Sequence, residues 1–186
     1  MGYAPASASD AMDMVQAGLS YLAAADAAQL PAQTQAETLR ALERTDAIAT
    51  AARAWFLAAF TAGQGYAGDA EYSPRAWLMH RTGITRGAAA SHTAWAKRAG
   101  THPKVVAALA AGELSESCAR AICRWTGRLP EKFREESGEL LLAAAAAGLG
   151  LRDLAGVQRS EEGSSHSRSI QGGSCPGGTT SISRSR

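Results

Sequence analysis

The sequence predicts an all-α protein: a multi-helix bundle with one long helix and a helix-turn-helix-like segment, followed by a disordered tail. Three observations lead there. Alanine is abundant, β-branched residues are sparse and aromatics make up only 6% of the chain; alanine is the best helix former, and strands favour the opposite composition. Capping residues, prolines and glycines divide the body into segments of helical length. From Ser160 to Arg186 the language changes, with nine Ser, five Gly and no Leu, Val, Ala or Phe. Such a segment lacks the apolar surface to offset its ordering entropy.

Taken in order, Ser9 or Asp10 caps a first helix that runs to about Gln29, and Pro31 stops it. Thr34 and Glu37 form a capping-box pattern that opens a long helix to about Ala62. Gly63-Gln64-Gly65 ends it, and a loop follows to Tyr72. Ser73-Pro74 places a cap before a proline at the first helical position, so a helix runs to Arg81. Thr82-Gly83-Ile84-Thr85 makes a tight turn, with Gly83 left-handed and Thr85 the next cap. A helix follows from Arg86 to Ala99. Pro103 opens a short helix ending at Gly112, Ser115 caps another to about Thr126, and Pro130 opens one to Ala147. Leu151, Leu154 and Val157 mark the start of a further helix.

The long helix carries a mixed stripe. Leu42, Asp46, Ala49, Arg53, Phe56 and Phe60 alternate four and three apart, the seam of a heptad. Asp46 and Arg53 on that seam are expected to be at least half buried, each compensated by a partner from another helix. Their role there is register and partner specification.

At 186 residues the chain holds one ordinary domain with room for a core. It is divided here as an N-terminal helix (1–34), a helical domain (35–157) and a Ser/Gly-rich tail (158–186). The tail is either plain disorder or the product of a frameshift or truncation near Gly156. The first residues lack a secretory signal, and the longest apolar run, Leu140 to Leu151, is too short to span a bilayer. Cys118 and Cys123 lie about 140° apart on a helix, which favours neither a disulfide nor a metal pair. A reduced, cytoplasmic protein without membrane association is the expectation.

Charge points to a partner. Residues 1–72 have three bases and eight acids, whereas Ser73 to Gly112 has six bases and no acid. The bases are Arg75, Arg81, Arg86, Lys97, Arg98 and Lys104, with His80, His92 and His102 among them. A local positive field suits a polyanion, above all double-stranded DNA; the competing reading is a basic solvated face. The helix–turn–helix outline lies inside this window. In that geometry the head of the second helix meets base edges, here Arg86, Ala90, Ser91 and His92. Lys97, Arg98 and Lys104 would lie nearer phosphates, adding affinity and salt dependence without sequence reading. Ala89, Thr93 and Ala96 form the inward stripe. No catalytic constellation, metal-ligand set or cofactor motif stands out. The three histidines do not share a helix face, and no carboxylate in the window orients them.

Several segments carry a resemblance. These are LERTDAIATAARA (42–54), GY (65–66), SPRAWLMHRTGITRG (73–87), VAALAAGELS (106–115) and ARAI (119–122). Together they resemble the thirteen-E-twelve repeat family, catalogued as domain-of-unknown-function family 222, over about residues 35–155. In that family the helical domain continues further and is usually followed by a zinc-supported HNH endonuclease module. The resemblance implies a DNA-associated helical module without catalytic activity of its own. The HNH module's general-base His, its Asn and its metal-binding His have no counterpart here, and metal-assisted phosphodiester hydrolysis needs such ligands. Relatives also tend to carry more Arg where this chain has Ala90, Ser91 and His92. Two alternatives stand beside this reading: a protein-interaction or autoinhibitory bundle that contacts a nuclease module or another helical protein, and a gene fragment without function.

Overall fold

A computed structural model describes residues 4–150, 153, 154 and 156. They form seven α-helices and two short 3-10 turns, with no strand among the described residues. The expected Ser/Gly-rich tail, with His166 and Cys175, lies outside the described residues. The chain falls into two compact units, one ending at Leu42 and one beginning at Glu43, so the boundary lies inside the long helix.

The first unit contains α1, Ala8–Ala24, and the start of α2, Ala32–Ala62. The cap of α1 is Ser7, two residues earlier than the sequence reading placed it, with its hydroxyl accepting from the Asp10 amide at 3.1 Å. The helix also stops earlier, at Ala24. Asp26 instead caps a separate 3-10 turn, Ala27–Gln29, by accepting from the Ala28 amide. The Thr34 capping box does not form. Pro31 fixes its own φ and leaves its carbonyl free to accept from the Gln35 amide at 3.0 Å, so the helix begins upstream of Thr34. The Thr34 carbonyl then accepts from the Thr38 hydroxyl inside the helix.

In the second unit, α2 turns Ala47, Ala51, Ala54 and Leu57 inward. This corrects the heptad seam. Asp46 and Arg53 are both exposed, as is Phe56 at 70%. The buried stripe is rotated by about one residue, roughly 100°. Alanines let the neighbouring helices approach the α2 backbone, while the charges and the large Phe56 remain in water, where they need no compensation.

After α2, the turn Gly65–Asp69 follows a left-handed Gln64. A Cβ at Gly65 would run into the Phe60 ring, which accounts for the glycine of the Gly-Tyr pair. Then come α3 (Pro74–Thr82), α4 (Arg86–Thr101), α5 (Pro103–Ala110), α6 (Glu116–Thr126) and α7 (Glu131–Ala146). Each of α3 to α6 packs on its successor, and α5 also touches α7. Three expected caps are present: Ser73, Thr85 and Ser115 hydroxyls accept from the amides three residues on. Gly112 closes α5 in the left-handed conformation, φ 69°, and bonds back to Leu109 while Glu113 bonds to Ala108. That pair is the Schellman arrangement.

The main core joins the α2 alanines to Trp95, Val105, Val106, Leu109, Leu114, Ala119, Ile122, Cys123, Leu141 and Leu154. Leu154, expected in a helix, is helical, fully buried and part of this core. A smaller cluster of Leu57, Leu78 and Ala89, flanked by Phe60, Trp77 and Ile84, seats the α3–α4 hairpin on α2. Cys118 and Cys123 are free thiols; burial pushes the Cys123 thiol up to about 11.

Candidate nucleic-acid interface

The α3–α4 hairpin has the predicted outline. Gly83 ends α3 with φ 69°, bonding to the Met79 carbonyl, and Thr85 starts α4 after one intervening residue. Ala89 and Trp95 are buried, and Thr93 and Ala96 are half-buried. The Thr93 hydroxyl donates to carbonyls within its own helix. Trp95 is a core residue, and its indole Nε1 donates to Glu116 Oε1 at 2.8 Å. Trp77 is half-buried against the Phe60 ring, with 4.7 Å between centroids, and its indole donates to Asp69 at 2.6 Å.

The acid-free window of the sequence is not acid-free in space. Asp69, four residues before the window opens, also pairs with Arg81 at 2.8 Å. Glu71 accepts from His80 Nδ1 at 2.7 Å. Two carboxylates of α7, Glu135 and Glu139, clamp Lys104. Their hydrogen bonds raise the Lys104 pKa and lower that of Glu135. Arg81 and Lys104 therefore already have anionic partners.

Ser91 and His92 turn toward the rest of the domain. Ser91 Oγ accepts from Arg120 of α6 at 3.2 Å. His92 is half-buried, and its pKa is lowered by burial and by Arg53, against a smaller opposing effect of Glu116. Both side chains are partly buried, and Ser91 is engaged by Arg120. At about 100° per residue they point away from the line through Arg86, Ala90 and Lys97.

Four cations of the window have no carboxylate at ion-pair distance among the described residues: Arg75, Arg86, Lys97 and Arg98. Arg86 and Lys97 are exposed on one face of α4, eleven residues or about 16 Å apart along the axis. Arg98 lies over the Trp95 ring, 4.7 Å from its centroid. Arg75 is half-buried, and its Nε is buried without an acceptor. Arg75 and Arg86 also stand in first turns that contain no acid, where the helix dipole disfavours a cation and favours an anion.

The sequence reading missed the residues that arrange this face. Glu116 joins Trp95 and Arg120 in one network. Burial pushes its carboxyl up, but the bonds from Arg120 and Trp95 outweigh this and hold it below the usual range. Spacing four apart on one helix was the available signal for the Glu116–Arg120 pair. His102 joins the α4–α5 junction to α6: Nε2 lies 3.1 Å from Thr126 Oγ1, and Nδ1 lies 2.8 Å from Thr101 Oγ1. The Thr126 hydroxyl already donates to the Ile122 carbonyl, so it accepts from His102, and Nε2 carries the hydrogen. Among the described residues no three His, Cys, Asp or Glu side chains converge as a metal site, and no helix is long and apolar enough to cross a membrane. Comparison with protein-family models, with curated proteins and with solved structures finds no match.

Proposed function

We propose that the helical body is a cytoplasmic, DNA-associated module of the HNH-endonuclease type, without hydrolytic activity of its own. It holds the duplex by its backbone through the outer face of α4. The observation that carries this reading is the pair Arg86 and Lys97, exposed on one helix face without a carboxylate partner. Arg75 and Arg98 supplement it. Contacts of this kind are to phosphates, so binding is weak, salt-dependent and nearly blind to sequence. The resemblance of residues 73–87 and 106–115 to the thirteen-E-twelve repeat family supports a DNA-directed role, and the missing H…N…H pattern supports the lack of cleavage. Fluorescence anisotropy of a labelled duplex, read over a salt series, tests the reading; absence of binding at low salt sinks it. Incubation of supercoiled plasmid with the purified chain and Mg²⁺, Mn²⁺ or Zn²⁺ tests the second half. Metal-dependent cleavage that is lost in a His→Ala variant is the adverse result.

A second reading, a bundle that contacts another protein, is favoured by one specific observation. Two of the six cations are already paired within the chain, while Trp55 and Phe56 stay exposed on α2.

A further inference from the structure

The first two helices expose apolar side chains at spacings that call for another helix. On α1, Met12, Val15, Leu19 and Leu22 follow a three-four-three spacing, and each is 41% exposed or more. On the outer face of α2, Ile48, Ala52, Trp55 and Ala59 follow a four-three-four spacing, with Phe56 beside them. These are heptad seams, the pattern by which one helix buries its apolar edge in another. The α1 seam is not covered within its own compact unit, although that unit includes the start of α2. The connection between the two helices is held in place: Gln35 Nε2 donates to the carbonyls of Ala27 and Leu30 at 2.8 and 3.0 Å.

We propose that a second copy of this chain covers both seams, with α1 of each protomer seated on the outer face of α2 of its partner. Area supports this. Seven large hydrophobics lie on or beside the two seams, Met12, Val15, Leu19, Leu22, Ile48, Trp55 and Phe56, most of them exposed by about half. At roughly 150 Å² for a whole side chain they present roughly 500 Å² of apolar surface per chain, the apolar share of what each partner contributes to a standard interface. Charge permits it: α1 holds Asp10 and Asp13 and no Lys or Arg, and Arg44 stands one turn before Ile48 on α2, a helix whose three arginines are matched by Glu37, Glu43 and Asp46. The exchange is reciprocal, so the assembly closes as a two-fold dimer and does not grow into a filament.

The test is sedimentation velocity of the full chain over a dilution series from micromolar to nanomolar. The expected result is a concentration-dependent dimer. Leu19→Asp in α1 and Phe56→Asp in α2 should each weaken it at least about tenfold, about 1.4 kcal/mol, with helical content by circular dichroism retained. Both side chains are exposed, so neither change opens the core. Mixing the two weakened variants discriminates the geometry. A reciprocal α1-to-α2 dimer recovers one intact seam in the mixed pair, so the mixture dimerises more tightly than either variant alone. A wild-type chain that stays monomeric throughout, variants that dimerise unchanged, or a mixture without recovery each overturn the proposal.

Discussion

Removing Arg86 and Lys97 together is the sharpest probe of the DNA reading, because the structure fixes what each should contribute. Four cations of the window lack a carboxylate partner, so four phosphate contacts is the ceiling this face offers. Each contact contributes about 0.9 to the slope of log K against log salt, giving about −3.6 for the wild type. Between 50 and 200 mM salt that slope amounts to a loss of about 150-fold in affinity. The double variant Arg86→Ala/Lys97→Ala keeps only Arg75 and Arg98, so its slope should fall to about −1.8 and its loss over the same range to about 12-fold. Both side chains are exposed, and their removal leaves Ala89 and Trp95 packed as before. Anisotropy titrations of the two proteins at four or five salt concentrations measure both slopes. Equal slopes would show that the outer face of α4 does not meet phosphates, and with that the argument from Arg86 and Lys97 fails. A variant whose slope falls while it discriminates sequences as before confirms backbone contact. Lost discrimination would mean that Arg86 reads a base edge instead.

Three further outcomes follow from the packing. Glu135→Gln with Glu139→Gln should release Lys104, steepening the salt slope by up to about 0.9 and tightening DNA binding at low salt; unchanged titrations would place Lys104 outside the interface. Folding stability should decline with acid below pH 6.5. The His102 pKa is lowered from 6.5 by burial, then by Arg134 and Arg98, so the unfolded chain takes up the proton first, and stability complete above pH 6.5 is lost as pH falls toward the folded value. Urea titrations from pH 8 to 5 check this, and Thr126→Val, which leaves the His102 Nε2 donor without its acceptor, should cost about 1–3 kcal/mol at pH 8. Gly112→Ala should destabilise by about 1–2 kcal/mol, since alanine resists φ 69°, and its methyl would press on the Arg44 side chain, 2.5 Å from Cγ; a thermal midpoint equal to wild type would contradict it.

The elements from residue 73 to about 127 were legible in the sequence nearly to the residue. Each begins on a hydroxyl cap or a proline, or ends on a left-handed glycine, and those signals are local: Ser73, Thr85 and Ser115 act on amides three residues away. The N-terminal elements were read less well because several residues there competed for the same role. Ser7 and Ser9 both have cap chemistry, and Pro31 pre-empts Thr34. The inner face of α2 was misread for a different reason. Phe56 and Phe60 drew the predicted seam toward themselves, whereas the helix is packed by alanines, whose small surface gives a weak pattern. Which face of an Ala-rich helix is inside depends on what approaches it, and that is not written in the helix.

The candidate site failed to be legible in the same way. A contiguous run of bases in sequence describes a surface only if nothing from elsewhere folds onto it. Here the compensating acids come from just before the window, at Asp69 and Glu71, and from as far as Glu135 and Glu139, more than thirty residues beyond the cation they bind. Folding thus reduces six cations to four and turns Ser91 and His92 inward. What remains is two exposed cations on one helix face, a third stacked on Trp95 and a fourth with a buried Nε. On the proposed reading, that gives a weak, salt-sensitive grip on a duplex without sequence recognition by one copy alone. A two-fold dimer would double the contact number, and with it the salt slope. The dilution series for assembly and the salt series for DNA binding are therefore best performed on the same preparation. A slope beyond about −3.6 would exceed what this face of one chain offers and would call on further cations, from a second copy or from elsewhere in the chain.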